Sequence, residues 1–216
     1  MGKLIAVVGA SGTGKTALVQ ALANAYPFVT AYEEHAQRPF QALFKQDARY
    51  ALANQVDYLL LRAEQEKYLR ALPLAQVGLI DGGLDLDFHG FTQLFHRRGL
   101  LTDPEFDLCR RVYGFLRDSL PLPEIIIRLC ADESTVAERL SRRGRINIAS
   151  AEDTSLFNLF VDEWLASLPP GQVLELDVSN ETLDYERSVM IVLDTLRAER
   201  SETMLSGRTQ TKRGHE

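Results

Sequence analysis

The chain has 216 residues, 45% of them hydrophobic and 25% charged, with a formal net charge of −6. That length and apolar content suffice for one packed domain, and the negative balance argues against a general nucleic-acid binder, which needs a basic face for phosphates. No apolar run approaches the roughly 18 residues of a membrane span and no basic-then-apolar leader opens the chain, so a cytoplasmic protein with no membrane or nucleic-acid partner is expected.

Apolar runs rich in β-branched residues alternate with helical patterns. Strands are predicted near 3–9, 27–32, 76–81, 124–130 and 172–177, and helices near 15–25, 45–71, 87–98, 103–119, 133–143, 152–167 and 182–199. The alternation predicts an α/β fold, a five-stranded parallel sheet flanked by helices, in a single domain over 1–199. Pro27, "LPLPE" and "LPPGQ" mark divisions between elements, and Asp132 is a predicted N-cap. From about Arg200 the chain is polar and aperiodic, so 200–216 is read as a mobile tail. Cys109 and Cys130 have apolar neighbours and no metal-ligand spacing, which suits reduced core thiols.

The first strand runs into "GASGTGKT", Gly9 to Thr16, which satisfies G-x-x-x-x-G-K-[ST] between a buried-strand run and an amphipathic helix. In such a loop Gly9, Ala10, Ser11, Gly12, Thr13 and Gly14 turn backbone N–H groups towards phosphate oxygens, and the following helix adds its positive end. Lys15 reaches the β- and γ-phosphates and Thr16 holds Mg²⁺, so the motif predicts an ATP–Mg²⁺ type of site. It does not say what happens to the triphosphate, because the fold serves GTPases, motors and kinases. No NKxD motif is present, and "DFHG" matches D-x-x-G in letters only. A kinase needs an acceptor pocket, a base for the acceptor hydroxyl and cations over the transferring group.

Each has a candidate. "TAYEEHAQRPF" places Glu33 and Glu34 after the second strand, either as a base or as solvated loop charge. In "ARYALANQVDYLLLRAEQ", Leu52, Gln55, Val56, Leu59 and Arg62 share one helical stripe. Gln55 and Arg62 on that apolar face require partners: an internal Asp or backbone group, or a nucleobase edge that an amide reads bidentately. "VGLIDGGLDLDFHG" ends the third strand with Asp81, Asp85 and Asp87. "ERLSRRGR" gathers Arg139, Arg142, Arg143 and Arg145, which suits either a solvated helix end or a lid with Gly144 as hinge.

In this order the motifs resemble the deoxynucleoside kinase family, the group with bacterial deoxyadenosine and deoxyguanosine kinases and animal deoxycytidine kinase, over about Lys3 to Leu165. "EEHAQRPF", "FKQDARYALANQVDYLLLR" and "ERLSRRGR" carry the resemblance together with the phosphate loop. It implies a P-loop kinase fold of the nucleoside-monophosphate-kinase type, a homodimer, and transfer of the ATP γ-phosphoryl group to a deoxynucleoside 5′-hydroxyl. Glu33 is the implied base. Lys15 with Arg139, Arg143 and Arg145, in an arginine-rich lid at about 139–152, is implied to stabilise charge. Gln55, Arg62 and Asp87 are implied to read a base with an exocyclic amino group, purine or cytosine rather than thymine, and Asp81 joins Thr16 on the Mg²⁺ side.

Three positions depart from that pattern. The family's strand-end arginine is Gly82, its tyrosine eleven residues before the glutamine is Phe44, and its lid glutamates are replaced within Ile146–Ser150. The last two normally hold the sugar 3′-hydroxyl, so an acceptor held mainly by its base is expected, or a different small molecule. A nucleotide-binding regulatory protein with little transfer is the further alternative, favoured by Gly82 and opposed by Glu33 and the arginines. Asp85, His35, His89 and His96 carry no assigned role.

Overall fold

The structure, a computed structural model, describes residues 2–32, 38–142, 151–182 and 184–210. Five strands, β1 Lys3–Val8, β2 Val29–Ala31, β3 Val77–Asp81, β4 Ile125–Cys130 and β5 Val173–Asp177, form one sheet in the order β2-β3-β1-β4-β5. Every pairing is parallel, and the central strands β1, β3 and β4 are buried on both faces, as helices covering both sides of the sheet require. Along β1 the side chains divide by the two-residue period. Ile5 and Val7 pack with Leu18 and Leu22 of α1 (Lys15–Ala25) and with Val192 and Leu196 of α9 (Glu186–Gln210). Leu4, Ala6 and Val8 pack with Phe157, Val161 and Trp164 of α8 (Ala151–Ala166). Asp81 pairs in register with Val7, which sets the end of β3 beside the start of the Gly9–Thr16 loop.

Three predicted elements differ. The helix read over 45–71 is divided into α2 (Pro39–Phe44), a 3-10 turn (Ala48–Tyr50) and α3 (Ala51–Arg70). Pro39 opens the first piece, and Asp47 Oδ1 accepts from Arg49 N at 3.0 Å, a local bond that competes with continuous helix. The helix read over 87–98 begins as a single turn, α4 (Leu84–Leu86), widens into a π segment (Asp87–Thr92) and ends as α5 (Gln93–Arg97). Within the π segment an added Cβ on Gly90 would lie 2.4 Å from the Phe157 ring, so α8 approaches the backbone itself. Finally, α9 continues through residues 200–210, the first part of the predicted tail; Glu, Met, Leu and Arg there are adequate helix formers, and the helix propagates from a packed start.

A third cluster lies between α3, the π segment and α6 (Asp103–Ser119), with Leu59, Ala63, Phe88, Phe95 and Cys109 at its centre. A capping box of Thr102 and Glu105 starts α6. The arginine-bearing helix, α7 (Glu133–Arg142), begins as expected: Asp132 Oδ1 accepts from Thr135 N at 2.7 Å. Both cysteines are free, Cys109 buried and Cys130 half-buried. Among the described residues no helix is long and apolar enough to cross a membrane.

Candidate active site

The phosphate loop closes as a turn, with Thr13 N and Oγ1 both donating to Ala10 O, at 3.3 and 2.9 Å. Gly14 precedes α1 at φ 103°, and a Cβ there would fall 2.0 Å from the Tyr185 hydroxyl, so glycine is required on both counts. The first turn of α1 has no side-chain cap and no acidic residue, which leaves its N–H groups to an anion. Lys15 Nζ donates to Ala10 O at 3.1 Å, folded over the cradle it is expected to serve. Arg139 reaches the loop from α7 by a different contact from the one expected of a lid cation. Its Nη1 donates to Thr13 O at 2.7 Å and its Nη2 to Val178 O at 3.0 Å, with the guanidinium 5.9 Å from the Tyr185 ring centre. Arg139 thus braces the loop against the end of β5. Arg143, Arg145, Gly144 and the rest of the lid to Ser150 lie outside the described residues, as do Glu33, Glu34 and His35.

On the far side of the loop Thr16 Oγ1 donates to Asp81 Oδ2 at 2.5 Å. Asp81 is 1% exposed, and among the described residues its Oδ1 has no hydrogen-bond partner. A buried carboxylate oxygen left unmatched is costly, and a hard cation beside it removes the cost. Asp81 and Thr16 fit Mg²⁺, which takes one or two protein oxygens and completes its shell with phosphates and water. Among the described residues no cluster of three His, Cys, Asp or Glu offers an all-protein metal cage.

Across the segment that follows β3, the Gln55–Arg62 stripe of α3 finds its partners. Arg62 Nε donates to Asp87 Oδ2 at 2.6 Å, and its Nη1 to Gln65 Oε1 at 3.0 Å. Gln65 Nε2 in turn donates to Tyr32 O at 2.8 Å. Gln55 Nε2 donates to Thr92 Oγ1 at 2.9 Å, and the hydroxyl lies 3.0 Å from Asp87 O. Both polar side chains of the stripe thus have internal partners, and these groups lie together on one wall. Phe44 stands beside them, its ring 5.0 Å from that of Phe95. Gly82 adopts φ 90°, and an added Cβ would meet Arg62 Nη2 at 3.1 Å. The space above the strand end is filled by a guanidinium delivered from α3, and the backbone at 82 has the left-handed form that a side chain disfavours.

A buried network absent from the sequence reading anchors the same segment. Arg117 of α6 donates Nη1 to Glu66 Oε2 at 3.0 Å and Nη2 to Asp85 Oδ2 at 3.0 Å. Glu66 Oε1 accepts from Leu84 N at 3.0 Å, and Tyr113 Oη donates to Asp85 Oδ1 at 2.8 Å. With that proton committed to Asp85, His89 Nε2, 3.2 Å from Tyr113 Oη, carries the donor hydrogen. The His89 ring stacks on Trp164 at 5.3 Å. Burial pushes the Asp85 carboxyl up to about 6, although Arg117 opposes the rise and Glu66 adds to it. Burial, with Arg117 nearby, lowers His89 to about 4. Glu66 was the available signal: it extends the Gln55–Leu59–Arg62 stripe by one helical turn and is fully buried.

The deoxynucleoside kinase family model matches residues 5–196. Deoxyadenosine kinase of Dictyostelium discoideum is 27% identical over 145 residues, 67% of this chain but only 58% of that protein. Deoxyadenosine/deoxycytidine kinase of Bacillus subtilis is 22% identical over 201 residues, 89% of this chain and 91% of its own length. Among solved structures, M. mycoides deoxyadenosine kinase with bound dATP overlays with a TM-score of 0.74 at 16% identity, covering 90% of this chain and 99% of the other. Its complex with dCMP and dCDP gives 0.72 at 17% identity. The structural likeness shows a common fold, and the family match over nearly the whole described chain goes further: the protein belongs to the deoxynucleoside kinase family of P-loop phosphotransferases.

Proposed function

We propose that the protein transfers the γ-phosphoryl group of ATP to the 5′-hydroxyl of a deoxynucleoside whose base carries an exocyclic amino group. The observation that carries this reading is the placement of Thr16–Asp81 and Arg62–Asp87 at the two ends of one buried segment, 81–87. Donor phosphates on the loop and a base on the α3 wall then face each other across it. The relatives named for deoxyadenosine and deoxycytidine support an amino-bearing base.

In this reading Lys15 exchanges Ala10 O for phosphate oxygens, and Glu33 takes the proton of the attacking hydroxyl. Thr16 and Asp81 would hold Mg²⁺, which when bound would offset negative charge on the donor phosphates. Arg143 and Arg145 are assigned the lid contacts, whereas Arg139 holds the loop in shape. Phosphoryl transfer needs positioning and electrostatic stabilisation more than covalent chemistry, which is what these groups supply. Phe44 offers the sugar a ring without a hydroxyl, so a 3′-deoxy acceptor escapes the penalty that an unpaired polar group would impose.

The proposed assembly is a cytoplasmic homodimer. Helices α3 and α6 pack side by side and leave Leu60, Tyr68, Leu108 and Phe115 exposed, a patch a second copy would cover. Labelled ATP with a panel of nucleosides, and Glu33→Gln as control, tests the reaction. Turnover of deoxyadenosine or deoxycytidine that disappears in the control is expected. Tight ATP binding without turnover of any nucleoside would overturn it in favour of a nucleotide-binding regulator or a kinase for another acceptor.

A further inference from the structure

We infer that Thr92 determines base specificity by fixing which way the Gln55 amide points; the inference rests on the acceptor reading above. Thr92 is fully buried at the end of the π segment, and Gln55 is 2% exposed. The threonine hydroxyl has one hydrogen. Of its two neighbours, Asp87 O can only accept, so the hydrogen goes there. Toward Gln55 the hydroxyl then has only lone pairs to offer, and the group it meets must be the amide nitrogen. Rotating the amide by half a turn would set Gln55 Oε1 against Thr92 Oγ1. Either two acceptors would then oppose each other, or the hydroxyl would leave Asp87 O.

The consequence is a reading edge of fixed order: Gln55 Oε1 as acceptor and the second hydrogen of Nε2 as donor. A base with an exocyclic amine beside an unprotonated ring nitrogen matches it, since the amine donates to Oε1 and the ring nitrogen accepts from Nε2. A base with an oxo group beside a ring N–H, in the same pose, needs the opposite order and therefore the rotated amide. Thr92 acts on that choice without touching the nucleoside, so it is a positioning residue. The Arg62–Asp87 pair leaves the same carbonyl-bearing residue anchored from its other end. The π geometry matters here because it places Thr92 Oγ1 beside the carbonyl of a residue five positions earlier.

Two substitutions test the assignment. Thr92→Val keeps the branched shape and removes the hydroxyl; Thr92→Ser keeps the hydroxyl. The ratio of kcat/KM for deoxyadenosine over deoxyinosine is expected to fall about tenfold in Thr92→Val, the weight of one hydrogen bond, and to be retained in Thr92→Ser. A merely structural role would lower kcat/KM for both nucleosides together and leave the ratio unchanged, which would overturn the inference. A second readout does not depend on turnover. In the ligand-free protein one Gln55 side-chain amide proton, identified by its loss in Gln55→Glu, is expected to exchange slowly with solvent, and to lose that protection in Thr92→Val only. Rapid exchange in the unsubstituted protein refutes the lock itself, whereas a protected proton with no nucleoside turnover refutes only the acceptor reading.

Discussion

Asp85 and His89 should drive stability in opposite directions over one pH interval. Asp85 is raised from 3.8 to about 6 by burial, against the attraction of Arg117. Between those values the folded chain holds a proton that the unfolded chain has released, so this group's contribution is present at low pH and is lost as pH rises through about 6. His89 is lowered from 6.5 to about 4 by burial and Arg117, so the unfolded chain holds the extra proton and stability is lost as pH falls through that range. At about 1.36 kcal/mol per unit, Asp85 should cost roughly 1 kcal/mol between pH 5 and 7 while His89 contributes roughly 2. The intact protein shows only the small difference. Urea denaturation at the two pH values separates them: Asp85→Asn should gain stability on going to pH 7, and His89→Gln should lose it. Arg117 and Tyr113 act on both groups and Glu66 on Asp85; all three are common to both variants, so their background cancels in the comparison. Parallel pH courses for the two variants would refute the assignment of these shifts to burial in this network.

Three further outcomes follow from contacts already described. Arg117→Met leaves the Glu66 and Asp85 carboxylates buried without their cation, and should cost about 3–5 kcal/mol, read as a lower Tm. Asp81→Asn should preserve folding and nucleotide binding measured without metal, while abolishing the Mg²⁺ dependence of ATP affinity in titration calorimetry. Gly82→Arg should not recreate a strand-end cation: its φ of 90° adds about 1–2 kcal/mol of strain and its Cβ meets Arg62, so lower stability without higher turnover is expected in paired melting and kinase assays.

The sheet and the phosphate loop were legible because their codes are local. A buried parallel strand is a run of apolar residues, and the loop's spacing is set by the phosphates it surrounds. The divisions at 39–50 and 87–92 were not, since each depends on a contact that periodicity does not encode: Asp47 capturing Arg49 N, and Thr92 bonding Asp87 O. Arg62 and Asp87 were paired by family resemblance, and the chain joins them at 2.6 Å. Asp85 was passed over because its cation and its tyrosine lie on α6, far along the chain; either alone reads as an ordinary surface residue. Arg139 was read as a lid cation, and its two carbonyl partners, Thr13 O and Val178 O, give it a bracing contact at the phosphate loop that no charge pattern reveals. Glu33, Arg143 and Arg145 stand on the resemblance, outside the described residues.

In the proposed reading the segment 81–87 carries the cation-side carboxylate, Asp81, at one end and the base-side carboxylate, Asp87, at the other, and the structure ties Leu84 and Asp85 between them to Glu66 and Arg117. On that reading the span between the two substrates is part of the covalent chain. A bulkier acceptor cannot be admitted by lengthening that span without breaking the ties. Attempts to alter acceptor range should change the walls instead, at Phe44 and Gln55, and leave the interval between the two carboxylates alone.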